Sequence, residues 1–309
     1  MLSSQIIFFF PFAFLLSYIL TPQTIRLCHT LGADDKPDGE RKINTLPIPR
    51  LGGLAFFSSF FIFAVPLAAK DPTVAAILSG GAILVAGGFA DDVFNLSPKL
   101  KLLIQISASL VAITIAGSPE TLSFFGVFDI HLSGLIGASI VIFKMIFTTN
   151  AVNFSDGLDG LAAGLSVVAF TSLFIYGMIN GRTYPAFASL LLATAVIGFL
   201  PYNKYRAKTF MGDSGSQFLG FAFALLSLGC AKENAYTLEA TLFLAIPALD
   251  TALSVPRRLI KKKSPFSADK GHLHHVLLKS GVSHPASVRI LISLNALVAF
   301  ATLIIISYA

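Results

Sequence analysis

The sequence predicts an all-α integral membrane protein with about ten transmembrane helices, and three observations support this prediction. Of the 309 residues, 55% are hydrophobic and only 12% are charged, and the mean hydropathy is +0.78. Ten apolar segments approach the roughly 20 residues that a helix needs to cross about 30 Å of hydrocarbon. Basic residues gather in alternate connections between these segments. A chain of this composition needs a non-aqueous solvent.

The ten predicted spans cover residues 6–27, 51–69, 74–90, 100–116, 132–149, 158–178, 184–200, 214–231, 238–255 and 287–308. The first span has no Lys or Arg before Arg26 and no small-residue cleavage pattern, so we expect a retained helix rather than a signal peptide. Cys28 and Cys230 lie at or inside apolar segments, which predicts buried thiols. With no internal repeat or hydrophilic domain visible, residues 1–309 are expected to form one polytopic domain.

The charge distribution predicts the orientation of the chain. With ten spans, the loops after the odd-numbered spans share one side, and those loops with their flanks hold nearly all Lys and Arg residues. The other side shows only Lys70, Arg182 and Lys232. The positive-inside rule then places the basic side in the cytoplasm and both termini outside, in a multi-pass plasma-membrane protein. The net charge of +6 therefore reflects topology and anionic ligands, and we expect no nucleic-acid partner.

The first two cytoplasmic loops contain candidate binding groups. The first, residues 34–53, has basic residues among Pro and Gly and could meet an anion, although an ordinary positive-inside loop would look the same. The second follows Asp91 and Asp92 at the inner end of the third span. Adjacent carboxylates repel each other unless a cation or proton offsets them, so they indicate a site. The alternative is a solvated helix end.

The third loop is denser in polar groups. Asn150, Asn153, Asp156 and Asp159 fall within ten residues between two apolar segments. A helix beginning near Ser155 would place the two aspartates at positions i and i+3 on one face. Helix capping explains one aspartate but not all four side chains.

The fourth loop, residues 201–221, places Gly212 and Gly215 around Asp213 and Ser214 where the eighth span begins. Free backbone N–H groups at that helix start could bind phosphate oxygens while Asp213 holds a metal ion. A simple N-cap with a glycine turn is the alternative.

The fifth loop follows Asp250 and contains cations and histidines suited to a diphosphate and its sugar. These candidates are Arg257, Arg258, His272, His274 and His275. A zinc site is the competing interpretation, but adjacent helical positions diverge by about 100° and no Cys is nearby.

Together these loops offer hard oxygen ligands, cations and glycines at one membrane surface. Carboxylates without a His/Cys cage favour Mg²⁺, with Mn²⁺ as an alternative, and this is the equipment of phosphoryl transfer. The residues thus predict a membrane enzyme acting on a phosphorylated substrate. The competing class is an ion-coupled transporter, which usually has carboxylates near the membrane midplane and repeated halves.

Five segments resemble the bacterial polyprenyl-phosphate N-acetylhexosamine-1-phosphate transferases: RKINTLPIPRLGG, FADDVFNLSPKLK, NAVNFSDGLDGLAAG, FMGDSGSQFLGF and SPFSADKGHLHH. The HLHH tract resembles the enzymes that load N-acetylglucosamine-1-phosphate onto undecaprenyl phosphate and initiate teichoic acid, O-antigen or related glycans. The phospho-MurNAc-pentapeptide transferases of peptidoglycan synthesis are the alternative branch. Two positions depart from the common pattern: Asn44 stands where His is frequent, and Asn95 where Asp is common.

The resemblance implies a Mg²⁺-dependent transfer of a sugar-1-phosphate from a UDP-sugar to the lipid phosphate, with release of UMP. It makes Asp213 a metal ligand, Asp91 the base that deprotonates the lipid phosphate, and Asp92 a support for the metal or the diphosphate. An older proposal instead makes an aspartate of the pair, or Asp156 or Asp159, a covalent nucleophile, so single and double displacement both stay open.

The remaining implied roles concern substrate binding. Asn150 belongs to the same polar segment as Asn153, Asp156 and Asp159, and the last three should line the nucleotide and diphosphate region. Asn203 and Phe210 are placed for the uracil, and His272, His274, His275 and one of Arg257 or Arg258 for the sugar phosphates. Lys101 is a candidate for the lipid phosphate, or an interfacial anchor. Similar enzymes also suggest a homodimer.

Overall fold

The computed structural model describes residues 7–35, 47–125, 127–232, 235–260 and 271–308. In these ranges ten helices have 16 or more residues, and each overlaps one predicted span. They are α1 (Phe9–Leu31), α2 (Gly53–Ala68), α3 (Pro72–Phe94), α4 (Pro98–Ala116), α5 (Gly134–Ser155), α6 (Leu161–Ile179), α7 (Thr183–Asn203), α8 (Gly212–Gly229), α9 (Ala245–Ile260) and α11 (His284–Tyr308), with the short α10 (Leu273–Lys279) before the last.

Six of the described helices, α3 to α7 and α11, are long and apolar enough to cross a membrane. Large apolar side chains also face outward, including Leu135, Phe143 and Leu297. An apolar surface of this kind, on helices of membrane length, is typical of a protein that lies in lipid. The prediction of a helical, multi-pass membrane protein is confirmed, and the count of ten spans stays a prediction.

Short strands add to the predicted all-helical architecture. β1 (Asp34–Asp35) pairs antiparallel with β2 (Ile48–Pro49). β3 (Thr121–Phe124) pairs antiparallel with β4 (Phe128–His131) and parallel with β5 (Ala235–Thr237). These strands lie in connections between helices, where sheet hydrogen bonds satisfy backbone groups outside the helical ladder.

The ninth predicted span, residues 238–255, is not one continuous α-helix. A 3₁₀ helix (Glu239–Leu244) precedes α9. Asn295 of α11 joins the two pieces: its Nδ2 donates to the Phe243 carbonyl at 3.0 Å and its Oδ1 accepts from the Ile246 N–H at 3.1 Å. The break is tolerated because a neighbouring helix satisfies backbone groups that the α-helical ladder leaves. Hydropathy alone does not reveal such a break.

Helix α8 is the buried centre of the fold and packs against α2, α3 and α5. Glycine allows its closest approaches. A Cβ placed on Gly88 of α3 would lie 2.5 Å from the Ser214 Cα, and a Cβ on Gly53 of α2 would collide with Gly215. Small residues permit this contact between membrane helices, where close packing replaces much of the hydrophobic driving force. The first turn of α8 therefore lies directly against the last turns of α3.

Candidate active site

Three carboxylates converge where α3 ends and α8 begins. Asp91 and Asp92 occupy the last turn of α3, and Asp213 the first turn of α8. One oxygen from each side chain lies within 4.8 Å of the others. The prediction that acidic groups far apart in sequence meet at one point is confirmed.

Asp92 caps helix α8. Its Oδ1 accepts the Asp213 N–H at 2.9 Å and its Oδ2 accepts the Ser214 N–H at 3.1 Å. The positive end of the helix dipole offsets the burial of this carboxylate. The expectation that these N–H groups are free for phosphate is therefore wrong, because Asp92 already occupies them.

Lys101, in the first turn of α4, lies between two members of the cluster. Its Nζ is 2.6 Å from Asp91 Oδ2 and 2.9 Å from Asp213 Oδ2. Asp91 Oδ1 also accepts the Leu96 N–H at 2.7 Å. The repulsion expected between adjacent carboxylates is thus offset by one ammonium and by backbone donors.

A chain of side-chain amides holds Asp213 from within the helical core. Gln217 donates to Asp213 Oδ2 at 2.8 Å, and Asn153 donates to Asp213 Oδ1 at 2.9 Å. Behind Gln217, Gln105 donates to its Oε1 at 3.2 Å, and Asn150 donates to Gln105 Oε1 at 3.0 Å. The sequence analysis did not identify these two glutamines, although a polar amide inside an apolar span is a signal of a functional contact.

The carboxylate cluster fits a hard divalent cation. Asp91, Asp92 and Asp213 present oxygen atoms at a spacing suited to one ion. Mg²⁺ usually binds through one or two carboxylates and completes its shell with water and substrate phosphate. The donor set thus agrees with Mg²⁺ or Mn²⁺, and hard oxygen ligands do not favour a thiophilic metal.

A cavity of about 340 Å³ opens beside the cluster. This volume lies within the range that binds small ligands. Its lining includes the predicted residues Asp92, Asn153, Asp156, Asp159, Phe210, Asp213 and His275, and also Asp35, Arg50 and His284, which were not singled out from the sequence.

The segment between α5 and α6 departs from its predicted conformation. Helix α5 ends at Ser155 and α6 begins at Leu161, so Asp156 and Asp159 lie in a turn rather than on one helical face. Gly160 has φ +76°, a left-handed conformation that glycine adopts at low cost. The glycine-rich turn brings both aspartates to the cavity.

Asp156 has a raised pKa. Burial, together with the negative charges of Asp213, Asp92 and Asp159, raises the pKa of its carboxyl from 3.8 to about 8. The protonated form of this side chain is therefore favoured far more than in an exposed aspartate.

Asp159 connects its own turn to two other segments of the chain through hydrogen bonds. Its Oδ2 accepts the Ala207 N–H at 3.1 Å, and its own N–H donates to His284 Nε2 at 3.0 Å. Since a backbone N–H can only donate, His284 Nε2 is an acceptor in this contact. His284 thus positions the cavity wall at the start of α11.

The two residues expected at the uracil have different environments. Phe210 lines the cavity. Asn203 is buried, with only 1% of its surface exposed, and its Nδ2 donates to the Thr209 carbonyl at 3.0 Å. The structure therefore assigns Asn203 to the support of the loop that precedes Phe210, not to the cavity lining.

The histidines of the fifth loop have separate surroundings. His272 Nδ1 is 2.9 Å from Asp250 Oδ2. His274 is buried against Gly157, and burial together with the neighbouring His275 and His272 lowers its pKa to about 4. Of the three, His275 lines the cavity.

The two arginines lie in the last turn of α9. The Arg258 guanidinium is 5.5 Å from the ring centroid of Phe154, and Arg257 packs against Gly271. Neither is part of the cavity lining. The first and fifth loops also contain Lys or Arg at positions 36, 41, 42, 261–263 and 270, and these residues, like Asn44, lie outside the described residues.

Comparisons with known proteins identify the family of this chain. A family model described as glycosyl transferase family 4 matches residues 74–231. The probable undecaprenyl-phosphate N-acetylglucosaminyl 1-phosphate transferase of Bacillus subtilis is 34% identical over 93% of this chain and 81% of its own length. The decaprenyl-phosphate N-acetylglucosaminephosphotransferase of Mycobacterium leprae is 35% identical over 84% and 74%, respectively. The undecaprenyl-phosphate alpha-N-acetylglucosaminyl 1-phosphate transferase of Yersinia pestis is 29% identical over 91% and 78%. The chain therefore belongs to glycosyl transferase family 4.

Proposed function

We propose that this protein transfers N-acetylglucosamine-1-phosphate from UDP-GlcNAc to undecaprenyl phosphate. The products are UMP and a lipid-linked diphosphate sugar that initiates a cell-wall or surface glycan. The observation that carries the proposal is the convergence of Asp91, Asp92 and Asp213 within 4.8 Å beside a cavity. The names of the relatives supply the substrate class.

Asp92 and Asp213 are proposed as the residues that hold Mg²⁺ or Mn²⁺. When bound, such an ion neutralises the diphosphate and stabilises the negative charge that develops on the departing UMP. Gln217 and Asn153 orient Asp213 for this role, and the N-terminus of α8 orients Asp92.

Asp91 is proposed as the base for the lipid phosphate. An oxygen of that phosphate attacks the phosphorus that carries the sugar, the bond to the UMP oxygen breaks, and the proton ends on Asp91. Lys101 supports this assignment because its ammonium has three N–H donors and two of them face Asp91 and Asp213. The third can meet the lipid phosphate, which places nucleophile and base side by side.

The cavity is proposed to bind the nucleotide sugar. Asn153, Asp156 and Asp159 border the ribose and diphosphate, and Phe210 offers a ring face to the uracil. His275 then lies toward the sugar phosphate, with His272, His274, Arg257 and Arg258 forming the surface behind it. The 2.9 Å contact between His272 Nδ1 and Asp250 Oδ2 supports the proposal that neighbouring side chains hold this surface in place.

A transfer assay tests the function. Purified protein with radiolabelled UDP-GlcNAc, Mg²⁺ and undecaprenyl phosphate should give a labelled lipid and stoichiometric UMP. No labelled lipid and no UMP would remove the enzyme proposal. Transfer only from UDP-MurNAc-pentapeptide would favour the peptidoglycan alternative, and uptake of substrate by proteoliposomes without UMP release would favour a transporter.

We also propose ten spans in the plasma membrane, both termini outside, the site at the cytoplasmic face, and a homodimer of the single polytopic domain. The charge bias supports the orientation. Cys28 and Cys230 are fully buried, so introduced cysteines can be read against a low background. An impermeant thiol reagent should label Lys70→Cys but not Ser280→Cys in intact cells, and the opposite pattern would contradict the orientation. Cross-linking in native membranes should yield a dimer.

A further inference from the structure

Arg50 is held on a rigid backbone segment next to the carboxylate cluster. The carbonyl of the preceding Pro49 accepts the Phe210 N–H at 2.7 Å. Beyond Arg50, the Gly52 and Gly53 N–H groups donate to the Phe210 and Met211 carbonyls, each at 3.0 Å. Arg50 is thereby fixed against residues 210 and 211, which lead into Asp213.

The cavity is strongly acidic except at Arg50. Its lining includes five aspartates, at positions 35, 92, 156, 159 and 213. Among the described residues that line it, Arg50 is the sole Lys or Arg. A ligand that carries a diphosphate needs positive charge in addition to any metal ion, and a guanidinium matches phosphate oxygens in charge and in geometry.

The guanidinium of Arg50 is oriented but retains binding capacity. Its Nη2 donates to Asn95 Oδ1 at 3.2 Å, and its Nη1 is 4.0 Å from Asp35 Oδ1. The Nε is buried and makes no hydrogen bond within the described part of the protein. Since guanidinium has five N–H donors, several remain for an anion. About a quarter of the side chain, 24%, is exposed, so a ligand in the cavity can reach it.

We propose that Arg50 binds a phosphate group of the nucleotide diphosphate and so selects the phosphorylated form of the nucleoside. This assignment rests on the proposed function, because it takes the cavity as the UDP-sugar site. It goes beyond the resemblance, which gives no role to this position. Asn95 and Asp35 are positioning residues that aim the guanidinium.

The test compares ligands that share a uridine but differ in phosphate. The full-length protein is purified in detergent with constant Mg²⁺, and dissociation constants for uridine, UMP and UDP are measured by calorimetry. Arg50→Gln should weaken the binding of UMP and UDP by about 10- to 150-fold, the range expected when one hydrogen bond to a charged group is lost. Uridine affinity should stay unchanged. Arg50→Lys should fall in between, because it keeps the charge but loses the planar fork.

Arg26→Gln is the matched control, since Arg26 is an exposed cation outside the cavity lining. It should bind all three ligands as the unaltered protein does. An equal loss for uridine and UDP in Arg50→Gln, or no loss for any ligand, would overturn the inference. If Arg50→Gln does not fold, the Arg50→Lys series decides: a selective loss for UMP and UDP supports the phosphate contact, and an unselective loss refutes it.

The same data separate this inference from the proposed function. Unaltered protein that transfers sugar phosphate and binds UDP, with Arg50 variants that show no phosphate selectivity, refutes only the role of Arg50. Unaltered protein that binds none of the three ligands and forms no lipid product refutes both.

Discussion

Removing the Gln217 amide should lower the Mg²⁺ affinity of the site, in addition to any effect on the stability of the fold. Gln217→Leu preserves the volume of the side chain approximately but deletes the 2.8 Å hydrogen bond to Asp213 Oδ2. A hydrogen bond to a charged group contributes about 1.5–3 kcal/mol, which corresponds to about a 10- to 150-fold change. We expect this loss in Mg²⁺ affinity, because hydrogen bonds to a ligating carboxylate fix its orientation. Gln105→Leu removes only bonds between neutral amides, at 3.2 Å to Gln217 and at 3.0 Å from Asn150, and neither involves Asp213. Its effect on Mg²⁺ affinity should therefore be smaller, about threefold to tenfold.

Two measurements separate orientation of Asp213 from general stability. Turnover is followed against Mg²⁺ concentration in the radiolabelled transfer assay, and thermal unfolding is followed with and without Mg²⁺. Ser59→Ala is the control, because it removes a buried 2.7 Å hydrogen bond to the Ala13 carbonyl away from the carboxylates. It should lower the melting temperature without shifting the Mg²⁺ dependence. A Mg²⁺ dependence unchanged in Gln217→Leu, or one more strongly shifted in Gln105→Leu, would refute the reasoning.

Three further predictions follow from the same geometry. Asp91→Asn and Asp213→Asn should each lower turnover in the transfer assay by about 100-fold or more. Size-exclusion profiles should show that both variants still fold. Transfer rates like those of the unaltered protein would contradict the assigned roles. Folding lowers the pKa of His274 from 6.5 to about 4, so its contribution to stability is present above pH 6.5 and is lost as the pH falls toward 4. Between pH 7 and pH 5 the free energy of unfolding of the unaltered protein should fall by about 2 kcal/mol more than that of His274→Gln. Equal falls in the two proteins would exclude His274 as the cause. Gly88→Ala should abolish the folded protein, because its Cβ would lie 2.5 Å from the Ser214 Cα, whereas Gly134→Ala, whose nearest neighbour is Ser118 Oγ at 3.9 Å, should be neutral in yield.

The sequence predicted the helical class and the meeting of distant carboxylates because both depend on strong patterns. Apolar segments of membrane length leave the helix as the main way to satisfy the backbone. Parity of the spans then brings Asp91 and Asp213 to the same end of the bundle. Neither inference needs the packing details, which explains why they agree with the structure.

Features that depend on local competition for hydrogen bonds were predicted less well. The N–H groups of Asp213 and Ser214 looked free in sequence, but Asp92 from another helix reaches them first. Asp156 and Asp159 fit a helix start by spacing, yet the glycine-rich turn delays α6 until Leu161. In both cases the outcome is decided by a partner remote in sequence or by backbone geometry.

Arg50 illustrates a different limit. In sequence it belongs to a basic loop that topology alone could explain, and its charge does not distinguish it from the other cations of the predicted cytoplasmic loops. Its proposed role depends on the backbone pairing of residues 49–53 with residues 210 and 211, which places it at the cavity that Asp213 also lines. A single sequence does not record that pairing.

Helix α8 explains why so many separate segments act on one carboxylate. Its first turn is capped by Asp92 of α3, packed on Gly53 of α2 and Gly88 of α3, and approached by Asn153 of α5. Lys101 of α4 adds the counter-charge. Because these constraints come from four helices, Asp213 has little freedom to move away from the other oxygens. Preorganised charge of this kind lowers the reorganisation that a phosphoryl-transfer site must undergo at the transition state. The position of α8 is therefore more important for the chemistry of this fold than the identity of any one loop.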